Sequence, residues 1–117
     1  MKFSSPAGKV DSEEVKQDFE SAARYEKLRV GKLGVYFPEG FGTKYIPYSY
    51  MEQAFIRIQE VNGNLCCGNA TFAYYRLVFV HSGKEFADYM SENEKKMDEA
   101  LAAIADECST VKIGIDP

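Results

Sequence analysis

The chain has 117 residues and a mass of 13.2 kDa, enough for one hydrophobic core and too little for a second independent domain. Hydrophobic residues make up 45% and charged residues 27%, which excludes a disordered chain, and apolar runs such as Leu77-Val78-Phe79-Val80 fall far short of the roughly 20 residues a spanning helix needs. Lys+Arg 14 against Asp+Glu 18 gives a net charge of −4, the wrong sign for nonspecific attraction to nucleic acid or to an anionic membrane.

Residues 1–10 hold Ser, Pro and Gly with little periodicity and read as a flexible lead-in, with no apolar stretch of signal-peptide length. A short helix is expected over 11–23. Asp11 and Glu14 have the spacing of a capping box, and Val15, Phe19 and Ala22/Ala23 fall on one apolar face. From Tyr25 the period changes to two. A strand over 25–30 reaches a turn at Gly31-Lys32, and Leu33, Val35 and Phe37 share one face of the returning strand. Residues 38–42 read as a glycine-containing loop, 43–46 as a strand ended by Pro47, and 52–61 as a longer strand. In that strand Ala54, Ile56 and Ile58 face inward and Phe55 interrupts the outer face. Asn62-Gly63-Asn64 and Gly68-Asn69 carry turn chemistry, 71–81 is a long aromatic strand, and Ser82-Gly83 turns it into a short partner at 84–86. Ser91 and Glu94 form a second capping box for a helix over 91–108, whose Met97, Leu101, Ile104 and Cys108 make one apolar stripe. An extended tail at 111–115 closes the chain.

This order predicts a mainly β, α+β domain occupying 1–117. About six or seven antiparallel strands over 24–86 hide their edges by closing into a small barrel or orthogonal sandwich. The C-terminal helix caps one open end, and a short N-terminal helix is added outside.

The segments LRVGKLGVYF (28–37), YIPYSYM (45–51) and AFIRI (54–58), followed by YRLVFV (75–80) and a single C-terminal helix, resemble the bacterial pleckstrin-homology-like and GRAM-like domains. The resemblance spans residues 24–115, and Ile46-Pro47-Tyr48-Ser49 is its most motif-like part. It implies a platform for phosphoinositides, peptides or partner proteins, with basic residues around the first hairpin. Lys27, Arg29 and Lys32 stand there, with Arg24 and Lys44 near in sequence and Glu26 and Glu39 diluting the charge.

Catalytic chemistry has little to draw on. His81 is the single histidine and sits at a turn, with Glu85 and Asp88 near it only in sequence. Three cysteines, two of them adjacent (Cys66 and Cys67), do not make a disulfide framework or a zinc-ligand spacing, and they point to a reducing, cytoplasmic setting. Cys108 reads as a small hydrophobe on the helix stripe. No glycine-rich loop precedes a helix as phosphate fingerprints require.

Eight tyrosines and eight phenylalanines are too many for the centre of so small a core. Tyr45, Tyr48, Tyr50, Phe55, Tyr74 and Tyr75 are therefore the candidate surface for a protein partner or for a homo-oligomer. The expected function is a non-enzymatic binding or scaffold module, with no catalytic residues, cofactor, metal, nucleic acid or small-molecule substrate. The alternative is peripheral binding of anionic, phosphoinositide-like lipid headgroups through Lys27, Arg29 and Lys32.

Overall fold

The computed structural model describes residues 3–6, 8–10, 12–40, 42–65 and 68–115. In chain order the elements are β1 (Phe3–Ser5), β2 (Gly8–Val10), α1 (Glu13–Ser21), β3 (Ala23–Tyr25), β4 (Leu28–Val30), β5 (Gly34–Glu39) and β6 (Gly42–Pro47). A 3₁₀ turn (Tyr48–Tyr50) leads to β7 (Gln53–Leu65), β8 (Gly68–His81), β9 (Lys84–Ser91), α2 (Glu94–Glu107) and β10 (Lys112–Ile115). The strands form two sheets, in the orders β2-β1-β6-β5-β4-β3 and β10-β7-β8-β9. The fold is mainly β with two helices, as expected, but the sheets remain separate and do not close into a barrel.

Several boundaries differ from the reading of the sequence. Part of the expected flexible lead-in is a strand pair: Phe3 is fully buried, and β1 joins sheet 1 by parallel pairing with β6. The tail, β10, also pairs parallel, along the edge of β7, so the expected all-antiparallel meander is broken at two places. The strand expected over 25–30 is divided by a turn at Glu26-Lys27, where Glu26 adopts φ 59°. Asn62-Gly63-Asn64 and Gly68-Asn69 lie inside β7 and β8, because ladder pairing with the opposite strand overrides their turn preference. Asp11, Cys66 and Cys67 lie outside the described residues. The side chain of Ser12 accepts the Val15 N–H at the start of α1. Asn93, rather than Ser91, caps α2 by accepting the Lys96 N–H, since Ser91 ends the long strand β9. Ser82-Gly83 is the tight hairpin turn expected, with both residues at positive φ.

Sheet 1 lies between two apolar layers. On one face Leu28, Val30, Val35, Phe37 and Ile46 meet Ala54, Leu77 and Phe79 of sheet 2, and Met97, Ala100 and Ile104 of α2 pack into the same core. Phe37 stacks on Phe79 across the two sheets at 6.2 Å. The Met97 stripe thus covers the core as its spacing predicts, with Leu101 and Cys108 packed at its margin. On the other face Phe3, Tyr36 and Tyr45 form an aromatic cluster beneath Val15 and Phe19 of α1, with Tyr36 stacked on Tyr45 at 5.1 Å.

The buried face of α1 carries a charged residue. Asp18 follows Val15 by three positions and is buried with it. Its carboxylate accepts the Lys32 N–H at 2.8 Å, the Leu33 N–H at 3.0 Å and the Tyr36 hydroxyl at 2.6 Å. The turn between β4 and β5 is held from its other side by Tyr48, whose hydroxyl donates to the Gly31 carbonyl at 2.6 Å. Gly31 has to be glycine for this approach, because a methyl group there would collide with the Asp18 carboxylate.

Replacing Asp18 with Ala strands three donors at a buried site, so Asp18→Ala should cost about 3 kcal/mol and lower Tm by about 10 °C. Thermal melting measures this, with the exposed helix-end variant Ser21→Ala as a control expected to stay within about 0.5 kcal/mol. An Asp18→Ala protein as stable as the wild type would show that the carboxylate does not hold the turn.

Candidate functional site

The turn at Glu26-Lys27 fixes what stands beside it. Folding β3 back on β4 places Arg24 directly opposite Arg29. Side chains of directly opposed residues share one face of the sheet about 5 Å apart at Cβ, and two like charges there repel. The Arg29 guanidinium donates to the Phe19 carbonyl at 3.0 Å and lies 4.1 Å over the Phe19 ring. Arg24 donates to the Glu26 carbonyl at 2.9 Å. Among the described residues, neither arginine has a carboxylate ion-pair partner.

These groups line a cleft of about 320 Å³ together with Phe19, Lys27, Phe37, Pro38 and Thr43. Its charged lining is wholly cationic: Arg24, Lys27 and Arg29, with no carboxylate. The nearest acid in sequence, Glu26, lines an adjoining hollow with Arg24 and Lys27, and its carboxylate accepts the Ser91 hydroxyl at 2.5 Å. The backbone of the turn is steadied in turn by the Lys27 N–H, which donates to the Tyr89 hydroxyl at 3.3 Å. Cations converging beside an aromatic ring in a recess suit an anion that also carries apolar surface.

The structure groups only part of the expected basic set. Lys27 and Arg29 share the cleft. Lys32 lines a separate hollow with Asp18 and Glu107, and Lys44 pairs with Glu39 at 3.1 Å. Arg24, named in the sequence only for its nearness, is a full member. Its signal was the Arg24-x₄-Arg29 spacing, which becomes a facing pair once a two-residue turn is placed at 26–27.

The expected aromatic surface is largely interior. Tyr45 is 7%, Tyr48 6% and Phe55 2% exposed, because Tyr45 packs under α1, Tyr48 clasps Gly31, and Phe55 forms a small cluster with Val78 and Val80 on the outer face of sheet 2. Tyr75 packs half-buried against the main core. Tyr50 stacks on His81 at 3.8 Å, and Tyr74 is half-buried in β8. These six side chains do not form one exposed patch.

His81 donates its Nδ1–H to the Tyr50 carbonyl at 2.9 Å, since a carbonyl can only accept, and Nδ1 lies 3.5 Å from the Glu52 carboxylate. Glu52 also accepts the Ser82 N–H at 2.6 Å, so this cluster ties down a hairpin turn. Glu85 and Asp88, its neighbours in sequence, pair with Arg57 and Arg76 instead. The broad hollow nearby, lined by Glu52, Gln53 and Lys112 among others, does not include the imidazole. Cys108 is hydrogen-bonded to the Thr110 hydroxyl at 3.0 Å, which pulls its thiol below the ordinary value. Among the described residues no cluster of His, Cys, Asp and Glu could hold a metal ion, and no helix is long and apolar enough to cross a membrane.

Burial raises the hydroxyls of Tyr36, Tyr45, Tyr48 and Tyr89 above their ordinary value of 10.0, and at Tyr36 the hydrogen bond to Asp18 and its charge add to that. A proton held more tightly in the folded state than in the unfolded one contributes stability that is complete below pH 10 and lost as pH rises above it. Phenolate absorbance should therefore appear in two stages, with these tyrosines ionising only as the chain unfolds. A single reversible titration of all eight tyrosines near pH 10 in the folded protein would contradict their burial.

No protein-family model, curated protein or solved structure matches the chain.

Proposed function

We propose that this protein is a non-enzymatic binding module whose ligand presents a phosphate or carboxylate to Arg24, Lys27 and Arg29 and an apolar portion to Phe19 and Pro38. The observation that carries the reading is the facing pair Arg24 and Arg29 in a cleft with no acidic lining. Bringing two guanidinium groups together is unfavourable in the free protein and becomes favourable when an anion sits between them. The chain as a whole is acidic, so this local positive field is a feature of the fold rather than of composition. A mainly β fold with a helix near its C-terminus and basic residues on the β3–β4 hairpin supports the reading of a pleckstrin-homology-like platform. The burial of Tyr45, Tyr48 and Phe55 favours the anion over the aromatic protein-contact surface.

The same chemistry could come from a free phosphorylated molecule or from a lipid headgroup, and two assays separate these sources. Calorimetry with inorganic pyrophosphate reports the free anion. Sedimentation with phosphatidylcholine vesicles, with and without an anionic phospholipid, reports the membrane. The double variant Arg24→Glu, Lys27→Glu should weaken whichever binding occurs at least about tenfold, one charge-assisted contact or more, while leaving Tm near the wild-type value. Arg29 is spared because it also packs on Phe19. Absence of binding to both probes, or equal binding by the variant, overturns the proposal.

A further inference from the structure

The two longest strands reach well beyond the body they belong to. β7 and β8 pair with each other without interruption from Gln53 opposite Val80 to Leu65 opposite Gly68. Their outer neighbours stop early: β10 reaches only Ile56 of β7, and β9 reaches only Tyr75 of β8. Among the described residues, 57–65 and 68–74 therefore form a ribbon of two strands with no third strand paired alongside. At about 3.3 Å per residue it spans about 30 Å, consistent with a molecule measuring 52 × 30 × 23 Å. At its root Ile58 is 61% exposed.

Two features make this ribbon unusual. A two-stranded hairpin without a third strand is marginally stable in water, because each strand leaves a row of backbone donors and acceptors unpaired with protein. Monomeric proteins guard such edges with lysine, proline or bulges. Here the whole stretch from Val61 to Tyr75 contains no charged residue and no proline, and the β7–β8 register runs without a bulge. The ribbon is an unguarded template for another strand.

We infer that the free edge of β8 at 68–74 pairs antiparallel with the same edge of a second copy of this chain, about a twofold axis near Thr71. An antiparallel edge is its own complement, so a second copy needs no further match of sequence. The edge of β8 is favoured over that of β7, whose matching stretch carries the charged residues Arg57 and Glu60. It also continues the slot that β9 fills as far as Ser91. Antiparallel overlap places the two acidic bodies beyond opposite ends of the shared ribbon, which keeps their charges apart. This surface is independent of the cationic cleft.

Sedimentation equilibrium of the full chain at roughly 200 µM, a concentration suited to an interface at the small end of the specific range, should give twice the 13.2 kDa chain mass. The pair Thr71→Lys, Ala73→Lys puts like charges across the axis and should return the mass to one chain with an unchanged circular dichroism spectrum, whereas Thr71→Ser, Ala73→Ser should stay dimeric. A wild-type monomer at this concentration, or a dimer that survives the lysine pair with its fold intact, overturns the inference; strand addition by some other partner would give the first result. If the lysine pair fails to fold, hydrogen exchange of the wild type decides. Amides in 68–74 should lose protection on dilution while those of Ala54 and Phe55 keep it, and exchange independent of concentration overturns the inference.

Discussion

A single carboxylate fixes the relation between α1 and sheet 1. Asp18 takes two backbone N–H groups and one phenol hydroxyl, all within 3.0 Å, from the turn and strand it faces. A buried charge is tolerated only when it is hydrogen-bonded in this way, and here the bonds also close a turn whose N–H groups have no ladder partner. Gly31 lets the carboxylate approach, and Tyr48 holds the same turn from the far side. The helix has nine residues, too few to be stable alone, so its position comes from Asp18 and from Phe3, Tyr36 and Tyr45 beneath it.

That placement reaches the cleft through one residue. Phe19 follows Asp18, and its ring and carbonyl both engage Arg29. A helix anchored by Asp18 therefore supplies the apolar wall of the cleft and orients one of its cations. The strained Glu26 supplies the other half. Its positive φ allows the tight turn that sets Arg24 against Arg29, and its carboxylate ties that turn to β9 by accepting the Ser91 hydroxyl. The site is thus assembled by elements that also stabilise the fold.

Much of the fold was legible where periodicity is strong. The Met97–Ile104 stripe, the aromatic strand ending at Ser82-Gly83 and the extended tail all appear where spacing put them. Local turn chemistry misled wherever long-range pairing was stronger. Asn62-Gly63-Asn64 reads as a turn in isolation but has a complete partner strand opposite it. The reverse error occurred at Glu26-Lys27, a turn with neither glycine nor asparagine, visible only through contacts with Ser91 and Tyr89 that are distant in sequence. The cleft was half legible for the same reason, since Lys27 and Arg29 were named and the turn that brings Arg24 to them was not. The aromatic surplus is real, and much of it is spent on packing. A second core beneath α1 consumes Phe3, Tyr36 and Tyr45, and Asp18 in an amphipathic helix gave no hint that it faced inward.

The account rests on Asp18 and Tyr36 acting as one unit, and a double-mutant cycle with Asp18→Asn and Tyr36→Phe measures that directly. Chemical denaturation of the four proteins should return a coupling free energy of about 1 kcal/mol or more, the signature of a direct buried contact. Losses that add to within about 0.3 kcal/mol would mean the two groups act separately, and the clasp would no longer explain how the helix is seated.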